Sequence, residues 1–144
     1  MFIMKKYFII NATVFTIISC ASIGNTASSY TSKDFFDWRA KLHKENPNDF
    51  KSNKFCKSLI GSSVVFDSKI INVNKNGTIV ADMDIEDILS VPEITLDLSD
   101  PDDSEDLKQN QTIKYTGTIS DCQYKKTTGV LFLTIKNGGL QLHY

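Results

Sequence analysis

The sequence predicts a mainly β fold, in which a small closed barrel of five strands follows an N-terminal helical extension. Two observations support this prediction. Before Gly61 the apolar residues recur at the spacing of helices, whereas after Gly61 they alternate with polar residues at the spacing of strands. The strand segments are short and are separated by turn signals, the clearest of which is the Asn-Lys-Asn-Gly run at residues 74–77. A chain of 144 residues accommodates one such domain.

Residues 1–20 predict an export signal. Lys5 and Lys6 precede a nearly unbroken apolar run over residues 7–18, which is the layout of a secretory signal peptide. The run is shorter than the roughly 20 residues needed to span a bilayer, so we interpret it as a removed segment rather than an anchor. We therefore expect an exported protein, located in the periplasm or at the outer membrane of a bacterial cell.

Two cleavage sites are compatible with this signal. In the first, Ile17-Ile18-Ser19-Cys20 resembles a bacterial lipobox, so that Cys20 becomes lipidated and attaches the protein to a membrane. In the second, signal peptidase cuts after Ala21 or a few residues later and releases a free protein. Residues 21–32 are rich in Ser, Thr, Ala, Gly and Asn, and in either case we interpret them as a flexible leader.

A helical extension is predicted over residues 33–60. Thr31 and Asp34 have the spacing of a capping box, which places a helix start at this point. Apolar side chains then follow at helical spacing at Phe35, Trp38 and Leu42. The Asn46-Pro47 pair ends this helix, and either a second helical segment or an irregular lead-in to the barrel is expected over residues 49–60.

The barrel is predicted over residues 61–144. Its five strands are expected at residues 63–73, 78–83, 93–98, 112–121 and 130–135. In the first strand the alternation changes parity between Phe66 and Ile71, which predicts a bulge near residues 67–69. A bent first strand can pair on both sides and close the sheet, which removes most exposed edges. This order of elements is the pattern of an OB-fold.

One segment also resembles a known family. In residues 107–119 a leucine and a polar turn lead into an alternating strand that contains a glycine, as in a recurrent OB-fold element, and Leu59-Ile60-Gly61 fits the same scheme. Residues 61–142 as a whole are similar to the tRNA-anti-like OB domains of small secreted or lipid-anchored bacterial proteins. The resemblance implies a binding role and supplies no catalytic residues, which favours a non-enzymatic protein.

The charge of the chain disfavours nucleic acid as a partner. The formal net charge is -1 at pH 7, whereas binding to a phosphate backbone depends on clustered Lys and Arg. Acidic residues also lie beside the second and third strands, which form the usual binding surface of an OB-fold. These residues are Asp82, Asp84, Glu86, Asp87 and Asp97.

Cys56 and Cys122 predict a disulfide. With Cys20 either lipidated or lost with the signal, they form an even pair in an oxidising compartment. Their spacing is not that of a Cys-x-x-Cys redox pair, so we expect a structural cross-link.

The first candidate binding site is basic. In an OB-fold the first and last hairpin loops flank one groove, and the side chains predicted to line it here are Lys75, Tyr124, Lys125 and Lys126. Such a groove suits a protein or an anionic ligand of the cell envelope. Solubilising lysines in turns are the alternative explanation for these residues.

The second candidate binding site is acidic. The segment over residues 97–106 carries Asp97, Asp100, Asp102, Asp103, Glu105 and Asp106. It would suit an inhibitor or immunity protein that blocks a basic secreted enzyme by electrostatic complementarity. A solvated loop with a capped helical turn accounts for the same residues without a partner, and coordination of Ca²⁺ by the carboxylates is a third alternative.

Catalytic and metal-binding patterns are not found in the sequence. The acidic segment lacks the spacing and the glycine of an EF-hand loop. His43 and His143 are isolated from any second ligand at metal spacing. The chain has neither a Gly-x-Ser-x-Gly element nor a Gly-rich phosphate loop. We therefore predict a non-enzymatic binding module of the cell envelope that uses no cofactor or metal.

Overall fold

The computed structural model describes residues 28–143. The predicted export signal, the lipidation candidate Cys20 and most of the predicted leader lie outside these residues. Among the described residues, no helix is both long enough and apolar enough to cross a membrane.

Six strands, two α-helices and one 3₁₀ helix follow one another along the described chain. In order they are β1 (Tyr30–Thr31), α1 (Ser32–Glu45), α2 (Asp49–Leu59), β2 (Ser63–Val73), β3 (Ile79–Asp82), β4 (Ile94–Leu98), the 3₁₀ helix (Pro101–Ser104), β5 (Thr112–Lys125) and β6 (Val130–His143). Both predicted helical segments and all five predicted barrel strands are therefore present.

The sheet closes into a barrel. Its strand order is β2-β3-β4-β6-β5, and an additional β2–β5 pairing joins the two ends. β4 and β6 pair in parallel, whereas the other barrel strands pair antiparallel. This is a closed mixed barrel of five strands with the pairing order of an OB-fold, so the predicted fold class is confirmed.

Alternating apolar residues of all five strands fill the barrel. The buried side chains contributed by these strands are Val64, Phe66, Ile70, Ile79, Ala81, Ile94, Leu96, Leu98, Ile113, Tyr115, Ile119, Leu131, Leu133 and Ile135. Helix α1 adds Phe35, whose ring packs edge-on against Phe66 with 6.1 Å between the ring centroids. Each large apolar side chain buried in this way stabilises the fold by roughly 1.5–3 kcal/mol.

The helix ends are fixed by local hydrogen bonds. Thr31 and Asp34 form the predicted capping box, in which the Thr31 N–H donates to Asp34 Oδ2 at 2.7 Å. Asn46 ends α1 in the left-handed region at φ 46°, and its N–H donates to the Leu42 carbonyl at 2.9 Å. Asn48 caps α2 with its side chain. The predicted capping box of α1 is therefore present, and Asn48 supplies a cap for α2 that the sequence analysis did not identify.

A disulfide attaches the helical extension to the barrel. Cys56 of α2 and Cys122 of β5 are bonded, with 5.2 Å between their Cα atoms and a sequence separation of 66. Cys56 is buried, as expected for a structural cross-link. The predicted disulfide is confirmed.

The bulge in β2 lies later than predicted. The register with β3 shifts between Ile70 and Asn72 rather than near residues 67–69. The core face continues through Ser68, which is fully buried because its hydroxyl group hydrogen-bonds to the Tyr115 hydroxyl at 2.7 Å. Because this hydrogen-bonded serine occupies a core position, every second residue continues to face the core as far as Ile70, and the parity changes only after it.

Other boundaries differ because backbone pairing continues where the apolar pattern stops. Tyr30–Thr31 of the predicted leader pairs in parallel with β2, outside the barrel. Strands β5 and β6 each have 14 residues and form a hairpin along almost their whole length, whereas the apolar alternation predicted residues 112–121 and 130–135. The extension of β5 reaches the hairpin tip, whereas that of β6 pairs with residues 113–118 of β5. There the Lys-Asn-Gly-Gly run at residues 136–139 interrupts the apolar alternation, although the backbone pairing continues.

Candidate functional site

The two turns that carry the predicted binding lysines lie at opposite ends of the β3–β4 surface. The turn of Lys75 leads into Ile79, which starts β3 and pairs with Leu96 in the middle of β4, so the turn lies toward the last residues of that strand. The hairpin tip that follows Lys125 precedes Leu133 of β6, which pairs with Ile94 at the start of β4. The structure therefore does not gather the four predicted residues into one compact pocket.

Lys75 lies beside acidic residues. Its turn and the 3₁₀ helix together border a shallow depression of about 450 Å³. Asp102 and Glu105 line this depression together with Lys75. The turn approaches this helix closely at Gly77, where an added Cβ atom would lie only 3.0 Å from Pro101 Cβ. The carboxylates reduce the positive potential that Lys75 offers to an anionic ligand.

Tyr124, Lys125 and Lys126 lie at the end of the β5–β6 hairpin. Tyr124 packs partly against the hydrophobic core. The Lys125 ammonium lies 5.7 Å from the centre of the Phe132 ring, within the range of a cation–π contact. Lys126 is exposed. These residues form a small basic end of the hairpin, which is separate from Lys75.

The predicted acidic segment divides into structural and solvent-exposed carboxylates. Asp97 accepts a 2.6 Å hydrogen bond from the Thr78 hydroxyl group, and Asp100 caps the 3₁₀ helix by accepting from the Asp102 N–H at 3.0 Å. The exposed carboxylates of this segment are Asp100, Asp102, Asp103, Glu105 and Asp106. Most of the predicted residues are therefore available to a partner.

The acidic character extends beyond the predicted segment. Between Lys75 and Lys108 every charged residue is Asp or Glu. The exposed members of this stretch, which we call the acidic surface, are Glu86, Asp87, Asp100, Asp102, Asp103, Glu105 and Asp106. They lie before and after β4, so that carboxylates flank both ends of one of the two strands that form the usual OB-fold binding surface.

A partly buried cluster, which sequence reasoning missed, joins α1 to the loop between β3 and β4. Arg39 donates to both oxygens of Asp84, at 2.8 and 3.1 Å, and to Glu93 Oε2 at 2.7 Å. The guanidinium carbon lies 5.0 Å from the centre of the Phe36 ring and 5.8 Å from that of Phe35. Arg39 is the only arginine in the chain. The sequence signal for this cluster is therefore a single arginine in a chain whose other strongly basic side chains are lysines. The planar guanidinium group can bind a carboxylate through two hydrogen bonds and can stack on aromatic rings.

The surroundings of Glu93 change its acidity. Its side chain is 2% exposed. Burial raises the pKa of Glu93 to about 7, and the nearby carboxylates of Asp84 and Asp82 act in the same direction, whereas the hydrogen bond and charge of Arg39 oppose the shift. The hydrogen bond to Asp84, together with the hydrogen bond and charge of Glu93, raises the pKa of Arg39, so the guanidinium stays charged.

Three carboxylates of this region also have the spacing of a cation site. One oxygen each of Asp82, Asp84 and Glu93 lies within 4.8 Å of the others. Arg39 supplies a positive charge to two of them. Asp82 uses both oxygens as acceptors, for the N–H groups of Asp84 at 2.9 Å and Val91 at 3.0 Å. The three carboxylates therefore already have partners: Asp84 and Glu93 pair with Arg39, and Asp82 accepts hydrogen bonds from the two ends of the loop between β3 and β4.

The described residues offer two kinds of surface to a ligand. The acidic surface suits cationic groups, and the loop between β3 and β4 exposes Ile88 and Leu89. The chain matches no protein-family model, and no curated protein matches it. Charge, burial and contacts are therefore the observations on which a functional proposal rests.

Proposed function

We propose that the protein is an exported, non-enzymatic OB-fold binding module of the bacterial cell envelope whose partner is a basic protein. The observation that carries the proposal is the acidic surface, because it flanks both ends of β4 and the stretch between Lys75 and Lys108 contains no basic residue. Complementary charge steers association and suppresses partners of the same sign. The disulfide supports export, since such bonds persist mainly in oxidising compartments.

The separation of the lysines favours a protein over an anionic polymer. Lys75 shares its depression with Asp102 and Glu105, and Lys125 and Lys126 lie at the other end of the β3–β4 surface. A polyanion lying across this surface would meet carboxylates at the same ends as its cationic contacts. Attachment to a membrane, in this proposal, is through a lipid on Cys20 and not through the barrel.

The partly buried cluster of Arg39, Asp84 and Glu93 supports a structural role more than a catalytic one. The carboxyl group of Glu93 has a raised pKa, which is common at active sites. It is nevertheless 2% exposed and bonded to Arg39, and it also accepts from the Met83 N–H at 3.3 Å. A general acid or base must come within hydrogen-bond reach of the substrate atom with which it exchanges a proton, and these contacts leave Glu93 facing its own protein.

An inhibitor or immunity protein is the narrower form of this proposal. In that case the basic partner is a secreted enzyme, and the acidic segment at residues 97–106 covers its active site. The exposed carboxylates around the 3₁₀ helix favour this form, because Asp100 and the buried Ser104 hold that turn in one conformation.

Binding to charged probes of opposite sign tests the proposed function. We expect a peptide of alternating lysine and glycine to bind at low ionic strength, with an affinity that falls as salt is added. A variant that neutralises Asp102, Asp103, Glu105 and Asp106 to amides should bind this peptide at least about tenfold more weakly. Isothermal titration calorimetry measures both effects.

A matched variant controls for total charge. It neutralises four exposed acids outside the acidic surface, which are Asp37, Glu45, Asp49 and Asp121, and it should retain most of the wild-type affinity. Dextran sulfate serves as the anionic probe and should not bind. Tight binding of dextran sulfate that is lost on replacing Lys75, Lys125 and Lys126 by glutamate would instead support the basic groove.

A further inference from the structure

Two adjacent aliphatic side chains project from the loop between β3 and β4. Ile88 is 93% exposed and Leu89 is 75% exposed. Single exposed aliphatic residues are common on soluble proteins. Two neighbouring aliphatic side chains exposed to this degree in a fixed loop form a candidate contact site. A partner could bury both of them without any rearrangement of this protein.

One buried carboxylate fixes the base of this loop. Asp82 is fully buried, and its two oxygens accept hydrogen bonds from the N–H groups of Asp84 and Val91, which lie on the two sides of the loop. Arg39 then holds Asp84 through two hydrogen bonds and Glu93 through a third. The two ends of the loop are thus tied to each other and to helix α1.

Further contacts fix the loop close to its exposed tip. Lys69 of β2 donates from its ammonium group to the Asp87 carbonyl at 2.7 Å, directly before Ile88. The Asp87 N–H donates to the Asp84 carbonyl at 3.2 Å, which closes a turn. The position of the tip relative to the barrel is therefore set before a partner arrives.

We propose that Ile88 and Leu89 insert into an apolar pocket of the basic protein partner, with Glu86 and Asp87 pairing with lysine or arginine at the rim of that pocket. This inference rests on the proposed function and names the part of the surface that gives the partner its apolar contact. Apolar anchors at the centre of an interface, surrounded by polar contacts, typically supply most of the binding energy.

Charge selects a protein as the occupant. Glu86 and Asp87 are exposed directly beside the aliphatic pair, and the lysine that reaches the loop, Lys69, is engaged with the Asp87 carbonyl. An anionic lipid surface would be repelled by these carboxylates. Apolar surface continues from the loop toward Phe36 and Ile85, which line an adjoining depression of about 370 Å³. A folded partner can therefore contact both the tip and its base.

Two basic peptides of equal charge test this inference, one alternating lysine with glycine and the other alternating lysine with phenylalanine. We expect the wild-type protein to bind the phenylalanine peptide about tenfold more tightly, because only this peptide offers apolar surface to the loop. The double variant Ile88→Ser/Leu89→Ser should lose that preference while it keeps its affinity for the glycine peptide. Both side chains are exposed, so the variant should retain the melting temperature of the wild type.

Phe50 provides the matched control. It is 77% exposed on α2, an element that carries no residue of the acidic surface, and Phe50→Ser should leave the preference for the phenylalanine peptide unchanged. A preference that survives the loop variant, or that Phe50→Ser removes, overturns the inference. Loop-dependent binding to phosphatidylglycerol vesicles, or loop-dependent self-association in sedimentation, also overturns it. If the wild-type protein does not bind the glycine peptide at all, that result would instead contradict the proposed function.

Discussion

The Arg39 guanidinium donates a 2.7 Å hydrogen bond to the carboxyl group of Glu93, across a sequence separation of 54 residues. Arg39 belongs to α1, and Glu93 directly precedes β4. Breaking a buried ion pair on one side is costly because the remaining charge loses its partner. The contact therefore joins the helical extension to the barrel, at the base of the loop that presents Ile88 and Leu89.

The raised pKa of Glu93 predicts a pH-dependent stability. Its value of about 7 in the folded protein lies above the ordinary value of 4.5 expected in the unfolded chain. The folded state therefore binds this proton more tightly, and the contribution of Glu93 to stability is greatest below pH 4.5. As the pH rises to about 7, the free energy of unfolding should fall by on the order of 3 kcal/mol.

Urea denaturation of the wild type and of Glu93→Gln, across pH 4.5 to 8, measures this dependence. The amide keeps an acceptor for the Met83 N–H but does not titrate. The free energy of unfolding of the variant should therefore lack the decrease that Glu93 causes as the pH rises. Glu45→Gln replaces an exposed glutamate and should follow the wild-type curve. Parallel curves for the wild type and Glu93→Gln would contradict the prediction.

The buried Ser68–Tyr115 pair predicts a non-additive effect on stability. Both side chains are fully buried, and their hydroxyl groups lie 2.7 Å apart. Ser68→Ala should destabilise the protein by about 1–3 kcal/mol, because the Tyr115 hydroxyl group loses its partner away from water.

A double-mutant cycle with Tyr115→Phe checks this coupling. The double variant should cost less than the sum of the two single variants, because it leaves no orphaned tyrosine hydroxyl group. Chemical denaturation measures each free energy of unfolding. Additive effects within experimental error would show that the hydrogen bond does not couple the two positions.

The Cys56–Cys122 bond predicts a large loss of stability on its removal. It closes a loop with a sequence separation of 66, for which the chain-entropy model gives about 4 kcal/mol. Cys56→Ala/Cys122→Ala should therefore unfold at lower urea concentration. Reductant should destabilise the wild type by a similar amount and leave the variant unaffected. A variant as stable as the wild type would contradict this prediction.

The lipid anchor predicted at Cys20 has its own test. Radiolabelled palmitate should enter the wild-type chain in bacterial cells but not Cys20→Ser, because the lipobox cysteine carries the lipid. Cys56→Ser removes a different cysteine and should still be labelled. Secretion of an unlabelled wild-type protein would favour the alternative cleavage after Ala21.

The strands were predictable where each inward position is apolar. In β4, Ile94, Leu96 and Leu98 are buried and alternate with polar residues, so the sequence pattern and the packing coincide. The first hairpin was predictable for a local reason, because Gly77 adopts a φ of +91° that glycine reaches without strain. Local chemistry decides both of these features.

The candidate site depends on contacts that local chemistry does not encode. Arg39 meets Asp84 and Glu93 only after the barrel places the start of β4 beside α1. The distance between Lys75 and Lys125 depends on strand length, and the apolar pattern underestimates how far β5 continues. The charges were visible in the sequence, but their grouping depends on the register of the closed sheet.

Gly138 and Gly139 provide the last prediction, because these neighbours in β6 differ in the space around them. A Cβ atom added at Gly138 would lie 2.7 Å from Leu96 Cδ1 and 3.2 Å from the Asp97 carbonyl oxygen, whereas one added at Gly139 would meet only the Thr116 hydroxyl oxygen, at 3.4 Å. Gly138→Ala should therefore destabilise the protein by about 1–3 kcal/mol through overpacking at the β4–β6 pairing. Gly139→Ala should stay within about 0.5 kcal/mol of the wild type. Equal unfolding midpoints for the two variants in urea would show that β4 and β6 are not packed as closely as this contact requires.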